Sequence, residues 1–209
     1  ILGAVEPVCY SVCWDLLTSK ILLGFKTCEI YEMDATDGRN VHRGAAVNAN
    51  FAPRVCGVAR HPANPSIFCC VGDDRSVRVY DSENHVQLRV SMLDTMGHCC
   101  EYSPDGTLIL IGMGSGIEGK EERKEGAYCV LNEEDLTLLH ESRDTKHMIT
   151  EAKYSPDGAM FALASSDGSI YVYNAKDYAA RARCRGHTGK VIHLDWSNDA
   201  QYLASNCTN

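Results

Sequence analysis

The sequence predicts an all-β fold in which one small antiparallel sheet is repeated along the chain. The clearest copy starts at the turn Tyr154–Gly158, where Pro156 presets the backbone of a turn and an Asp-Gly pair closes it. The apolar run Met160–Ala164 is too short and too irregularly spaced for an amphipathic helix, and it fits a buried strand. A second Asp-Gly turn leads into Ile170–Tyr173, whose β-branched and aromatic residues favour another strand. Turn, strand, hairpin and strand therefore form one unit.

The same unit recurs along the chain. Its first turn begins at the equivalent positions Asp15, His61, Ser103, Ser155 and Ser197. These positions are 46, 42, 52 and 42 residues apart, close to the roughly 40–45 residues of a four-stranded WD40 blade. Each blade of a propeller is covered on both faces by its neighbours, which explains inner strands that are apolar throughout. We therefore predict a β-propeller of WD40 repeats, a partial ring of about four blades plus the start of a fifth.

The predicted propeller occupies the chain as one domain, residues 1–209. Its repeat units run roughly over residues 8–54, 55–96, 97–146, 147–188 and 189–209. Propellers typically close with about four to eight blades, and the fifth unit stops before its last two strands. An unpaired strand edge at that point would promote aggregation unless something covered it. We therefore expect this chain to be a segment of a longer one, whose remainder is the partner that completes the ring.

Composition narrows the possible partners. The hydrophobic fraction of 44% suffices for a core, and no apolar run approaches the roughly 18 residues of a membrane span. The net charge of −8 disfavours nucleic-acid binding, which depends on a broad basic surface. The 11 cysteines lie mostly in strand-like runs, as expected for reduced, buried cysteines of a cytosolic protein. Their spacing gives no ligand set for a metal, so we expect neither a metal nor another cofactor.

Three arginines alternate with small residues just before Gly186. Arg181, Arg183 and Arg185 would lie on the outermost strand of the fourth unit, and the period of two places them on one side. One interpretation is protection of a sheet edge, where charges block pairing with another chain. The other is a basic surface for an acidic partner, because arginine binds carboxylates bidentately. Lys190 is a candidate extension of this surface.

A glycine-rich stretch, Gly114–Gly119, matches the pattern of nucleotide-binding loops. Such loops require a following helix with an apolar face, whereas the next residues are almost all charged. The stretch is better explained as an insertion of Ile117–Gly126 in one hairpin, which accounts for the 52-residue spacing. It is a plausible partner contact. We find no defensible set of nucleophile, base and orienting residue, so we predict no catalytic residues and no enzyme activity.

Several segments in this order resemble one family. They are Val12–Asp15, Lys20–Gly24, Glu29–Glu32, Gly57–Pro62, Gly72–Asp81, Cys99–Gly106, His147–Thr150 and Ile192–Trp196. Together they resemble the echinoderm microtubule-associated protein-like (EML) family over nearly the whole chain. The charged insertion departs from the family pattern, and the Trp-Asp ending common to WD40 repeats is missing from every unit.

The resemblance implies a non-catalytic scaffold of the cytoplasmic cytoskeleton, the ciliary axoneme included, that binds tubulin or microtubules. Tubulin surfaces and tails are acidic, so the acidic balance of this chain would oppose long-range attraction. Contact should then depend on local basic features, and the arginines at 181, 183 and 185 are the candidates. The alternative is a WD40 scaffold of another complex, an axonemal assembly or a ligase adaptor, without direct tubulin contact.

Overall fold

The computed structural model describes residues 8–15, 17–25, 29–42, 46–48, 54–114 and 124–208. The first sheet contains β1 (Cys9–Asp15), β2 (Lys20–Phe25), β3 (Glu29–Asp34) and β4 (Val47–Asn48). The second contains β5 (Val55–Arg60), β6 (Ile67–Gly72), β7 (Ser76–Asp81) and β8 (Val86–Met92). The third contains β9 (Gly97–Tyr102), β10 (Leu108–Met113), β11 (Ala127–Asn132) and β12 (Leu138–Arg143). The fourth contains β13 (Ile149–Tyr154), β14 (Met160–Ser165), β15 (Ser169–Asn174) and β16 (Ala180–Arg185). The fifth pairs β17 (Val191–Trp196) with β18 (Leu203–Cys207).

Each sheet is an antiparallel meander of consecutive strands. Over the described ranges every regular element is a strand, and the arrangement is that of propeller blades, so the predicted fold class is confirmed. The predicted insertion at Ile117–Gly126 lies largely outside the described residues, as does most of the glycine-rich stretch before it. No helix in the part of the chain that is described is long and apolar enough to cross a membrane.

The turns between the first and second strands of the third, fourth and fifth sheets share one set of side-chain bonds. In the fourth sheet the Ser155 hydroxyl donates to Asp157 at 2.6 Å and accepts the Met160 amide at 2.9 Å. The Ser103 and Ser197 turns repeat both bonds within 0.1 Å. Serine and aspartate side chains thus replace backbone partners at each turn, which fixes where the next strand begins.

Four apolar layers lie between successive sheets, and the inner strands supply side chains to both of their faces. On β10, Ile109 and Ile111 pack toward the second sheet, whereas Leu110 packs toward the fourth. The layer between the third and fourth sheets is aromatic, with Phe161 stacked on Tyr173 at 5.0 Å between ring centroids. Burial on both faces is the physical reason why these strands read as continuous apolar runs.

The first strands of the five sheets, β1, β5, β9, β13 and β17, surround a central cavity of about 410 Å³. Its wall includes residues from each of these strands, among them Val12, Val58, Glu101, Lys153 and His193. The sheets are therefore arranged radially, with their last strands on the outside. This arrangement sorts the candidate site residues into two regions, the outer rim and the central cavity.

Candidate partner-binding surface

The three arginines predicted to share one side of an outermost strand lie on β16. Among the described residues this strand pairs only with β15, and all six of its residues are exposed. Arg183 is opposite Tyr171, and Arg185 is opposite Ser169. Tyr171 belongs to the apolar layer shared with the third sheet, and Arg181 lines a groove between these two sheets. The arginines therefore face the same side, toward the third sheet.

Arg183 is held firmly within its own sheet. Its guanidinium donates to the Asp167 carboxylate at 2.9 Å and to the Ser169 hydroxyl at 3.0 Å, and it lies 4.7 Å from the centroid of the Tyr171 ring. Asp167 also accepts the Tyr171 hydroxyl at 2.8 Å. Arg183 thus combines ionic, hydrogen-bonding and cation–π contacts that orient the strand. Its charge is largely matched by Asp167.

Asp167 is a partly buried carboxylate that stays ionised. Burial acts to raise its pKa, but hydrogen bonds from Tyr171 and the Ser169 amide outweigh burial and lower the pKa below its ordinary value. An ionised carboxylate in this turn is the counter-charge that Arg183 requires. Asp167 also stabilises the second Asp-Gly turn, since it accepts the Ser169 amide at 2.8 Å.

The other two arginines of the strand carry less compensated charge. Arg181 donates to the side-chain oxygen of Asn174 at 3.2 Å, a neutral acceptor. Arg185 is exposed and forms no ion pair with any residue in the described part of the chain. An outward-facing pair of guanidiniums of this kind can bind carboxylates or phosphates. Arg181 and Arg185, on either side of the anchored Arg183, are defined here as the basic rim.

The groove beside the basic rim lies between the turns of the third and fourth sheets and measures about 780 Å³. Its polar lining includes Asp105, Asp157, Lys176 and Asp177, with Arg181 at one side. Hydrogen bonds in their own turns, from Ser103 and Ser155 first of all, lower the pKa of Asp105 and Asp157. Both acidic and basic side chains therefore border the basic rim. Because the nearby carboxylates would repel an acidic partner, its acidic groups must contact the arginines directly.

Lys190 does not extend the basic rim. It follows β16 in the chain, but its side chain lines the central cavity with His98 and Thr150. The arginines occupy the outermost strand of the fourth sheet, whereas the cavity is bordered by the innermost strand. Lys190 and the arginines are close in sequence, but the radial arrangement of the sheets places them in different regions of the molecule.

Charged residues of the central cavity form a cluster that the sequence analysis missed. Lys153 lies 3.1 Å from Glu101, and His193 lies 3.8 Å from Glu151. The negative charge of Glu101 is the main cause that raises the pKa of Lys153. Glu101 and Lys153 each stand two residues before the serine of their turns, so aligning this position across the repeats would have found the pair.

Other polar residues near turns and loops have structural roles. Asp73 accepts the Arg54 guanidinium at 2.7 Å, and Asp74 accepts the Ser76 amide at 3.2 Å. The His187 ring lies 2.7 Å from the Ser205 hydroxyl of β18, joining the loop before β17 to the fifth sheet. In the described residues, no group of three or more His, Cys, Asp or Glu side chains is arranged to hold a metal ion.

Comparison with known proteins identifies relatives of this chain. The family model of the echinoderm microtubule-associated protein second β-propeller matches residues 55–209. Echinoderm microtubule-associated protein-like 4 of Xenopus laevis is 34% identical over 154 residues, which are 72% of this chain and 15% of that protein. Echinoderm microtubule-associated protein-like 3 of Mus musculus is 29% identical over 208 residues, 98% of this chain and 21% of that protein.

A third relative agrees with these two. The 77 kDa echinoderm microtubule-associated protein of Lytechinus variegatus is 33% identical over 154 residues, 72% of this chain and 22% of that protein. This chain therefore spans less than a quarter of the length of each of the three relatives. The family model covers the second to fifth sheets, including the strand that carries the basic rim.

Proposed function

Because this chain belongs to the echinoderm microtubule-associated protein-like family, we propose that it is a non-catalytic scaffold whose propeller binds tubulin or microtubules. The names of its relatives describe microtubule-associated proteins. The observation that carries the proposal to particular residues is the basic rim, in which Arg181 and Arg185 face outward without a carboxylate partner in the described chain. This function would place the protein at the cytoskeleton in the cytoplasm.

The charge of the whole chain favours a local rather than a diffuse contact. With a net charge of −8, the protein and an acidic partner repel each other at distances beyond a few ångströms. Direct pairing at the rim must offset that repulsion. Exposed ion pairs contribute only about 0.2–1 kcal/mol each, so binding by the rim alone should be weak and should respond steeply to salt.

The test is co-pelleting of the protein with assembled microtubules at low and at physiological salt. Reversing both rim charges, Arg181→Glu with Arg185→Glu, replaces two attractions by two repulsions, so we expect Kd to rise about tenfold or more. Arg183 is left unchanged because its replacement would also disturb Asp167 and Tyr171. Circular dichroism and thermal unfolding of the double variant should match the wild type.

Arg39→Glu is the matched control for single charge reversals such as Arg185→Glu. Arg39 is 86% exposed and lies 3.6 Å from Asp37 in the first sheet's loop, away from the fourth sheet. Arg39→Glu alters the net charge by the same amount as Arg185→Glu. A difference in Kd between the two variants therefore reports the position of the charge and not the net charge of the chain. If these two variants bind microtubules with equal Kd and both have normal stability, the basic rim does not contribute to binding.

The wild-type result decides between tubulin and another partner. Saturable co-pelleting at physiological salt supports the proposal. If the wild-type chain binds neither microtubules nor free tubulin at low salt, direct tubulin contact is wrong for this chain. The fold and the family would then leave the alternative scaffold role, in an axonemal assembly or a ligase adaptor, as the working hypothesis.

A further inference from the structure

Lys190 is a cation in the central cavity without a counter-ion of its own. It is half-buried, and in the described chain no carboxylate pairs with it. The other cavity charges are matched, since Lys153 pairs with Glu101 and His193 approaches Glu151. Partly buried charges are normally paired because they have lost part of their hydration. Lys190 therefore lacks the interaction that its position demands.

Two further basic groups lie close to Lys190. Burial and the positive charge of Arg54 both lower the pKa of Lys190. Burial first, and then the charges of Lys190 and Arg54, lower the pKa of His98 to about 4. Lys190 and His98 both line the cavity, and Arg54 lies over the ring of Tyr10, another lining residue, so all three border the same end of it. Positive charges that lower the pKa of neighbouring basic groups mark a candidate binding site for an anion.

The fixed part of this arrangement is Arg54. Its guanidinium is held by Asp73 through bonds of 2.7 and 3.3 Å, and it lies 5.9 Å from the centroid of the Tyr10 ring. Asp73 neutralises the charge of Arg54, so the charge of Lys190 remains without a counter-ion in the described chain. In addition, the buried Nδ1 atom of His98 has no hydrogen-bond partner in the described residues. The site thus has both an unmatched charge and an unsatisfied polar atom.

We propose that Lys190, with Arg54 and His98, forms a binding site for an oxyanion, a phosphate or a carboxylate, at one end of the central cavity. The cavity volume of about 410 Å³ lies within the range of small-ligand pockets, roughly 300–1,000 Å³. Glu101 and Glu151 line the cavity further along, so an anion is confined to the end where Lys190 lies. Residues of the second, third and fifth sheets would meet at the anion, which would tie these sheets together.

This site is separate from the basic rim and does not depend on tubulin binding. The rim is on the outer strand β16, and its variants leave the three cavity residues intact. A negative co-pelleting test therefore does not contradict the anion site, and a negative anion test does not contradict tubulin binding by the basic rim.

The experiment is a calorimetric titration of the full chain with inorganic phosphate at constant ionic strength. The wild type should bind one phosphate saturably. Lys190→Met keeps much of the apolar stem and removes the charge, so we expect at least a tenfold loss of affinity. Lys190→Arg keeps the charge and should retain affinity within about threefold. Arg39→Met, which removes one exposed charge from a loop of the first sheet, is the control and should bind as the wild type does.

A second measurement follows the His98 ring by NMR. A bound anion favours the imidazolium form, so saturating phosphate should raise the pKa of His98 from about 4 in the wild type. The rise should vanish in Lys190→Met, and the spectrum of that variant also reports whether it is folded. No saturable phosphate binding, or equal affinity of Lys190→Met and Arg39→Met, would overturn the proposal.

A short oligoglutamate peptide, titrated in parallel, distinguishes the two sources of an oxyanion. Binding that depends on Lys190 and is displaced by phosphate would identify an acidic protein segment as the ligand. Binding of phosphate without binding of the peptide would identify a free small anion. Both results support the site, whereas peptide binding that ignores Lys190→Met counts against it.

Discussion

The fourth and fifth sheets start in the same way and end in different environments. Their first turns have the same bonds, with Ser155 and Ser197 each 2.6 Å from the aspartate two residues later. Beyond the turn, β14 is buried from Phe161 to Ser165, while the equivalent β18 is mostly exposed. Identical local chemistry thus produces the same hairpin in both places, and burial by neighbouring sheets decides how much free energy each hairpin contributes.

The contrast is sharpest at equivalent positions of the two second strands. Phe161 is fully buried between Tyr128 and Tyr173. Leu203, six residues after Ser197 as Phe161 is after Ser155, is only partly buried against the fourth sheet. If burial rather than turn chemistry sets stability, equivalent truncations in the two sheets should have very different effects.

Truncating these two residues should give the largest difference. Phe161→Ala removes a stacked ring from the aromatic layer, and we expect a loss of about 3–5 kcal/mol in the free energy of unfolding. Leu203→Ala leaves a site that solvent already reaches, so its loss should be about 1 kcal/mol. Urea unfolding followed by tryptophan fluorescence measures both. Losses of similar size would mean that the fifth sheet is as integral to the core as the fourth.

The contact between the two sheets should have an intermediate effect. The Thr150 hydroxyl, on β13, donates to the Val191 carbonyl of β17 at 2.6 Å in a buried position. Thr150→Val keeps the shape and leaves that carbonyl without its donor, so we expect a loss of about 1–2 kcal/mol. Hydrogen exchange should then show faster exchange of the β17 amides than of the β14 amides.

Thr188→Val is the control for the same chemical change at an exposed position in the loop before β17. It should alter stability by less than about 0.5 kcal/mol. If Thr150→Val is equally neutral, the fifth sheet is held by its apolar layer alone. In that case the hydrogen bond between Thr150 and Val191 contributes nothing measurable to stability.

What could be predicted from the sequence follows the same division between local and long-range interactions. The turn at Ser155, the apolar β14 and the position of β16 at the sheet edge depend on near neighbours in the chain, and all of them were predictable. The anchoring of Arg183 by Asp167 and Tyr171 joins residues up to 16 positions apart across two strands, and the alternation of Arg and Ala carries no sign of it. Lys190 was placed on the wrong surface because a loop turns from the rim to the cavity within five residues.

Ala200 shows a different limit of sequence-based prediction. It occupies the turn position that Gly106 and Gly158 fill in the preceding units, and all three have positive φ angles, between 57° and 78°. A side chain in this left-handed region is strained by about 1–2 kcal/mol. The sequence Ser197–Ala200 nevertheless forms the same turn, because the Ser197 and Asp199 bonds and the burial of Ala200 maintain it.

Exchanging the two residues at this position should give the smallest effects, with opposite signs. A Cβ atom at Gly158 would meet nothing closer than Pro104 at 3.7 Å, so Gly158→Ala adds backbone strain alone, and we expect a loss of about 1 kcal/mol. Ala200→Gly relieves that strain but loses a buried methyl group and gains unfolded-state entropy, which leaves a gain of about 0.5 kcal/mol.

The measurement is thermal unfolding of the two variants beside the wild type, in which about 1 kcal/mol corresponds to roughly 2–4 °C for a chain of this size. Opposite shifts would mean that the two turns differ only by the strain of one Cβ atom. If Ala200→Gly lowers the midpoint as Gly158→Ala does, the methyl of Ala200 contributes more by packing than its backbone angle costs. The buried methyl group of Ala200 would then stabilise the fifth sheet by packing, as the buried ring of Phe161 stabilises the fourth.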